Sequence, residues 1–457
     1  MTNSTLVEPL TGEPPDRRES IILITGLIAI ALLIRLACYT GLVGSDDLLY
    51  AHHAHQISDG TYRLVPEHHG LRFGIIAPVA LVYKLFGFHE WTTVVLPLLF
   101  SSLAVAMTAM IALRLSGLYS AWVAGLFMAT FPLEVRFASS LVPEPFLQIT
   151  MLAGVLLFLL AERRNSGAFG LAAGAFFALA YLTKEPGALA AAAFFAFALL
   201  RRRWQLALSL LAGGALVVAV EMAWYWSQSG DPLYRLHAMD IHNTRAMKIE
   251  ANQDRAYRLW KAYPAQMLVP SIQFGLHSLV ALGLSAIALL RWKSSKAVWL
   301  LLLWASLPFL YLNFGTSSFS SYVLLPVQGR YLSLIYPPLF VVAAMALSGW
   351  VRGHQQRRWL AGVTVAITCA VGIYCAAVTR GTGNNVAQIR RLKEIVAVAR
   401  RQNGQICEIT GRDKGRWSMA LDMIAPDRLG CSTRTLLQLL PDSSGLPTSK
   451  QMSVNTP

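Results

Sequence analysis

The chain has 457 residues, of which 55% are hydrophobic and only 14% charged, against roughly 25% charged in an ordinary soluble domain. With a mean hydropathy of +0.48, this excludes a soluble globular protein and predicts a polytopic helical membrane protein. The net charge of +15 does not indicate nucleic acid, because Lys and Arg fall in short clusters between apolar runs, as the positive-inside rule distributes them.

Residues 1–20 are polar and read as a cytoplasmic tail, with Arg17-Arg18 just before the first apolar run. Ile21 to about Leu42 is too long for a signal-peptide core and reads as a retained span. Crossing the hydrocarbon takes about 20 apolar residues. Spans are therefore expected at 21–42, 92–113, 119–136, 141–161, 167–183, 186–200, 204–226, 272–290, 297–314, 331–349 and 360–378. Phe73–Gly87 is shorter, contains Pro78 and carries Lys84 near its end, so it reads as an interfacial or re-entrant helix.

Charge decides the parity. If that segment stays uncrossed, Arg17-Arg18, Arg114, Arg163-Arg164, Arg201-Arg202-Arg203, Arg291/Lys293/Lys296 and Arg352/Arg357/Arg358 all face inward. Crossing would turn every later cluster outward, against the rule. The expectation is an all-α polytopic membrane protein of about eleven spans over 21–378. The first outer loop (44–91, with interfacial helices), the loop 227–271 and the tail 379–457 share the extracytoplasmic side. The tail reads as a small α/β domain: helical periodicity over Val386–Arg401, then a strand over Ile406–Thr410, ending in about fifteen residues of disordered composition. Cys38, Cys369 and Cys375 read as packed core, and pairing of Cys407 with Cys431 stays open.

Two adjacent carboxylates, Asp46-Asp47, stand where the chain leaves the first span. Acids at a membrane rim need a reason, since desolvating them is costly. Asp46 as a helix N-cap and Asp47 as a first-turn acid is one such reason, compatible with catalysis. The helix that follows is expected to turn Leu49, His53 and Gln56 to one side and Tyr50, Ala54 and Ile57 to an adjoining stripe. His52, His53, His55, His68 and His69 crowd the same loop but show no fixed metal-ligand spacing.

Further acids and bases mark other outer span ends. Glu144 lies between Pro143 and Pro145, with Glu134 and Arg136 read as rim residues. Lys184-Glu185 interrupts a short outer hairpin, where the ammonium either binds phosphate or pairs with Glu185. Arg330 opens the tenth span, where a guanidinium can grip a phosphate oxygen. Deeper in the spans only Arg35 and Glu221 are charged, each near enough to an end to snorkel. That disfavours the rival reading, a transporter or flippase of lipid-linked saccharides, which would keep coupling charges at the midplane. The tail carries no acid–base, metal or phosphate-loop signature, so a membrane anchor for a soluble catalytic tail is also disfavoured.

Asp46-Asp47-x-x-Tyr50, the helix ending Lys84-Leu85-Phe86-Gly87, the Lys184 hairpin and Gly329-Arg330-Tyr331-Leu332 together resemble the C-type glycosyltransferases. These polytopic enzymes use polyprenyl-phosphate sugars and include protein O-mannosyltransferases and lipid A aminoarabinose transferases. The resemblance runs over about 20–350. It implies an inverting transferase on the outer face of the cell inner membrane, with a polyprenyl-phosphate-linked sugar as donor and a lipid, polysaccharide or protein as acceptor. Asp46 would be the general base and Asp47 its neighbour orienting acceptor or sugar. Lys184 and Arg330 would hold the donor phosphate, with Glu144, Lys84 and Tyr50 as further substrate-binding positions. No cofactor motif is present, and a divalent metal ion is the one cofactor left open. The family often carries Asp where Glu144 stands, and His-Pro where His68-His69-Gly70 stands.

Overall fold

The computed structural model describes residues 16–246, 255–292, 295–316, 318, 320, 322–352, 354–382, 384–401, 408–410, 414–425 and 436–438. Helix α1 is Arg17–Ala37, and the first loop holds α2 (Asp46–Ser58), α3 (His68–Leu71) and α4 (Phe73–Phe86). Then come α5 (Glu90–Ser116), α6 (Leu118–Thr130), α7 (Pro132–Phe137), α8 (Pro143–Arg164), α9 (Gly167–Thr183), α10 (Pro186–Leu200) and α11 (Trp204–Ser229). The second large loop carries α12 (Tyr234–Ala246), α13 (Arg255–Trp260) and α14 (Tyr263–Leu268). After α15 (His277–Arg291) and α16 (Lys296–Phe314), a 3-10 turn over Gly329–Leu334 leads into α17 (Tyr336–Val351) and α18 (Gln355–Thr379). By length and composition α1, α5, α8, α11, α16 and α18 can cross a membrane, and α4, α6, α9, α10, α15 and α17 are shorter apolar helices.

One apolar core joins α1, α5, α6, α8, α9, α10, α15, α16 and α17, with Phe127, Phe158, Phe194, Trp304 and Tyr336 fully buried in it. Close crossings replace large side chains where helices meet, as expected where no hydrophobic gradient drives association. A Cβ on Gly174 would lie 2.0 Å from Leu210 O, and one on Gly213 would lie 1.9 Å from Leu171 O, which locks α9 against α11. The expected span 119–136 is broken by Phe131-Pro132. The proline disfavours helical backbone in the residue before it, Phe131 takes ψ 117°, and α7 starts afresh.

A second core lies over the first loop. It combines Leu48, Tyr50, Ala51 and Ala54 of α2 with Ile75, Ile76, Val79 and Tyr83 of α4. The buried side of α2 thus runs through Leu48 and Ala51, whereas Leu49 and Gln56 are only half-buried. The tail packs on this layer through Ile389, Leu392 and Val396 of α19 (Asn384–Arg401) and Trp417 and Leu421 of α20 (Lys414–Ile424). Strands β1 (Glu408–Thr410) and β2 (Leu436–Gln438) pair in parallel, Glu408 opposite Leu436, with α20 between them in sequence. Cys407, Cys431 and the last residues fall outside the described residues, while Cys38 and Cys375 are buried and unbridged.

Candidate active site

The two leading acids separate at once. The main chain before α2 folds back over Asp47. Its Oδ2 accepts from the amides of Val43 (2.6 Å) and Gly44 (3.2 Å), and its Oδ1 from Ser45 (2.6 Å). Gly44 makes this turn at φ +80°, a conformation that suits glycine. Asp47 is fully buried and Ser45, not Asp46, is the N-cap residue. Asp46, the first residue of α2, is left to face outward with its side chain 31% exposed.

Asp46 Oδ2 accepts from Arg330 Nη2 at 2.7 Å, and its Oδ1 lies 3.6 Å from His69 Nε2. Burial alone would raise its pKa, but His69 and the Arg330 guanidinium hold the carboxyl well below the usual range. Arg330 is presented by the 3-10 turn, with its Nε donating to Gln328 Oε1 at 2.9 Å and lying 3.9 Å from Glu144 Oε1. In the first turn of α8, Glu144 takes the Lys184 ammonium at 2.7 Å. That ammonium also sits 3.7 Å from the centre of the Tyr331 ring, a cation–π contact strengthened by desolvation. Burial, then the positive neighbours Arg330 and Arg72, pushes the Lys184 pKa down to about 8 against the pull of Glu144.

Lys184 and Glu185 do not pair with each other. Lys184 ends α9 in extended backbone (φ −161°, ψ 137°) while Glu185 is already helical. Glu185 instead accepts from Arg72 at 3.1 Å and from Arg235 at 3.1 Å. Burial opposes its ionisation, yet the two guanidinium groups hold its pKa down to about 2. Arg72 also donates to Tyr50 Oη at 2.6 Å, and Arg235 to Glu221 at 3.0 Å and to Tyr181 O at 2.9 Å. Gly74 lets α4 start this close to the hairpin, since a Cβ there would lie 2.2 Å from Thr183 Oγ1. Four acids and four bases from seven stretches of chain thus meet at one end of the bundle. Buried charges are tolerable only when paired in this way.

Of the residues expected from sequence, Asp46, Glu144, Lys184 and Arg330 come together, and Tyr50 joins them through Arg72. Asp47 is bonded to main chain. Lys84 is exposed in the last turn of α4, roughly 17 Å along the helix from Phe73 at 1.5 Å per residue. Glu134, expected at the rim, is not a solvated side chain. It is buried and accepts from Gln148 Nε2 at 2.6 Å. Nor do Arg35 and Glu221 snorkel: Arg35 is fully buried, donating to Ser101 Oγ at 2.8 Å and to Ala129 O at 3.3 Å, while Glu221 is held by Arg235. The loop histidines meet in sequence-adjacent pairs, His52 with His53 at 5.6 Å and His68 with His69 at 3.7 Å between ring centres, and among the described residues no group of three or more His, Cys, Asp or Glu side chains is placed to hold a metal ion. Sequence reasoning missed Arg72 and Arg235, single basic residues in polar loops with no spacing to mark them.

The sequence model of the family described as Dolichyl-phosphate-mannose-protein mannosyltransferase matches residues 75–226, a stretch that holds Glu144, Lys184, Glu185 and Glu221. No curated protein matches the chain. Among solved structures, ArnT from Cupriavidus metallidurans bound to undecaprenyl phosphate superposes with a TM-score of 0.56 at 19% identity, over 91% of this chain and 76% of that one. Its apo state gives the same score and identity over 89% and 75%. The archaeal oligosaccharyltransferase AglB from Archaeoglobus fulgidus, in complex with an inhibitory peptide and a dolichol-phosphate, matches with a TM-score of 0.53 at 13% identity, over 88% of this chain and 63% of that one. The resemblance to C-type glycosyltransferases therefore extends to the fold of almost the whole chain.

Proposed function

We propose that the chain is a membrane glycosyltransferase that moves a sugar from a polyprenyl-phosphate donor to an acceptor on the extracytoplasmic face of the inner membrane. The reading rests on one observation: Asp46, Arg330, Glu144 and Lys184 form a continuous line of alternating charge at a bundle end. Undecaprenyl phosphate in ArnT and dolichol-phosphate in AglB are the lipid class that such a site would take.

Lys184 and Arg330 hold the donor phosphate, Arg330 with the directional grip of a guanidinium. An acceptor hydroxyl attacks the anomeric carbon from the face opposite the phosphate. The carbon–oxygen bond to phosphate breaks with its electron pair on the phosphate oxygen, through an oxocarbenium-like state. Asp46 takes the hydroxyl proton, and because the leaving phosphate is already stabilised one base is enough, so the sugar inverts. In the resting site Asp46 is a poor base, because Arg330 stabilises its charge. Donor phosphate drawing on Arg330 loosens that pairing and raises the basicity of Asp46 only when there is a sugar to transfer. Asp47 keeps the turn that aims Asp46, and Arg72 with Glu185 and Arg235 stiffens the adjoining wall.

The test is transfer by the purified full-length protein in a bilayer, supplied with labelled polyprenyl-phosphate sugars. Asp46→Asn should lower the rate about 10²- to 10⁴-fold, the range for loss of a general base, with insertion and thermal unfolding unchanged. Full activity in that variant would refute the assignment of Asp46.

A further inference from the structure

Glu144 is 1% exposed and stands between the two cations assigned to phosphate. Its Oε1 accepts from Lys184 Nζ at 2.7 Å with Arg330 Nε 3.9 Å away, and its own backbone amide also favours the charged form. Its Oε2 is buried without a side-chain or main-chain hydrogen bond among the described residues. A buried acceptor left unsatisfied costs stability, so a carboxylate kept only to brace the fold has little reason to stay half-bonded here. Nor is it required as the base, since the reaction needs one and Asp46 is the acid with access to water.

We propose that Glu144 is a resident competitor for the phosphate position, a specificity-determining residue that weakens the hold on the spent polyprenyl phosphate relative to the donor. This deepens the phosphate reading of Lys184 and Arg330 and rests on it. The donor is a phosphodiester with one negative charge. The product is a phosphomonoester, which carries close to two charges at neutral pH because its second pKa is about 6. In the resting site the two cations are already matched by Asp46 and Glu144. While Asp46 holds the acceptor's proton, the product's second charge is offset. When that proton leaves to water, the dianion faces a full carboxylate across a poorly solvated site, where like charges repel strongly. Glu144 then reclaims Lys184 as the lipid departs.

The experiment uses the full-length protein in lipid nanodiscs and two probes with the same chain: undecaprenyl phosphate and its monomethyl ester, which carries one charge. Wild-type protein should bind the two within about threefold. In a Lys184→Arg background, where the cation keeps its charge without Glu144, Glu144→Gln should tighten the monoester at least about tenfold while moving the ester by less than about threefold, as loss of one close like charge predicts. Steady-state turnover should fall more than the single-turnover rate, and Glu144→Asp should retain the wild-type ratio. An unchanged ratio, or weaker monoester binding, in Glu144→Gln would overturn the proposal. If that variant does not fold, the wild type decides: a preference for the monoester beyond about tenfold overturns the proposal too. Lys184→Ala separates the two levels. Loss of both probes supports the phosphate reading, and undiminished binding refutes it together with the role of Glu144.

Discussion

Lys184 sits where three influences on an ammonium can be ranked. Burial and the nearby Arg330 and Arg72 disfavour its charge, Glu144 favours it, and the net result is a pKa down at about 8. Phosphate binding needs the protonated form. The sign follows directly: the charge is present below about 8 and is lost as pH rises through it. The profile of kcat/KM reports the free enzyme, so it should fall on an alkaline limb near pH 8. Lys184→Arg keeps its charge throughout, at some loss of rate because the fork is larger and differently bonded, and should move that limb upward by at least about one unit. The measurement is the pH profile of both proteins with one donor. A limb that stays in place in Lys184→Arg would mean that another group titrates there.

At the level of elements, the tail packs against the turn that precedes Asp46. Ile389 of α19 is buried in the layer shared with α2 and α4. Asn385 Nδ2 donates to Gly44 O at 3.2 Å, beside the amide that holds Asp47. Replacing Asn385 by Ala, or Ile389 by Asp, frees this turn without touching Lys184 or Arg330. The expected result is a fall in kcat, on the order of 10²-fold for a displacement of about 1 Å, with the affinity for undecaprenyl phosphate retained. Equal losses of both would assign the tail to general stability. None of this was legible in the sequence. The periodicity of Val386–Arg401 predicts a helix but not its partner, since Asn385 and Gly44 are 341 residues apart. The same limit hid the pairing of Arg330 with Asp46. Apolar runs, by contrast, were legible because crossing a bilayer fixes their length: each run read as a span is largely helical, although 119–136 divides between α6 and α7 and 331–349 begins in the 3-10 turn. The break at Phe131-Pro132 followed a local rule that a smooth hydropathy reading averages away.

Across the whole molecule, which helices cross depends on α4. Its 14 residues span about 21 Å at 1.5 Å each, short of a hydrocarbon layer of about 30 Å, but α6, read as a span, has only 13, so length alone does not decide. The tail gives a second, independent measure. Helix α19 bonds Gly44, at the start of the first loop, through Asn385, and Glu90, at its end, through Lys393 at 2.6 Å. Those two anchors are eight residues apart on one helix, about 12 Å, so both ends of the loop lie within much less than a membrane thickness of each other. That favours an α4 that does not cross, the arrangement in which every later basic cluster faces inward. With the N-terminus cytoplasmic, a topology reporter fused after residue 90 should be extracytoplasmic and one after residue 165 cytoplasmic. The opposite pair of results would make α4 a span and turn the later basic clusters outward. It would also put Asp46 and Arg330 on opposite faces, which their 2.7 Å contact forbids. The reporters therefore test the eleven-span arrangement and the integrity of the candidate site in one experiment.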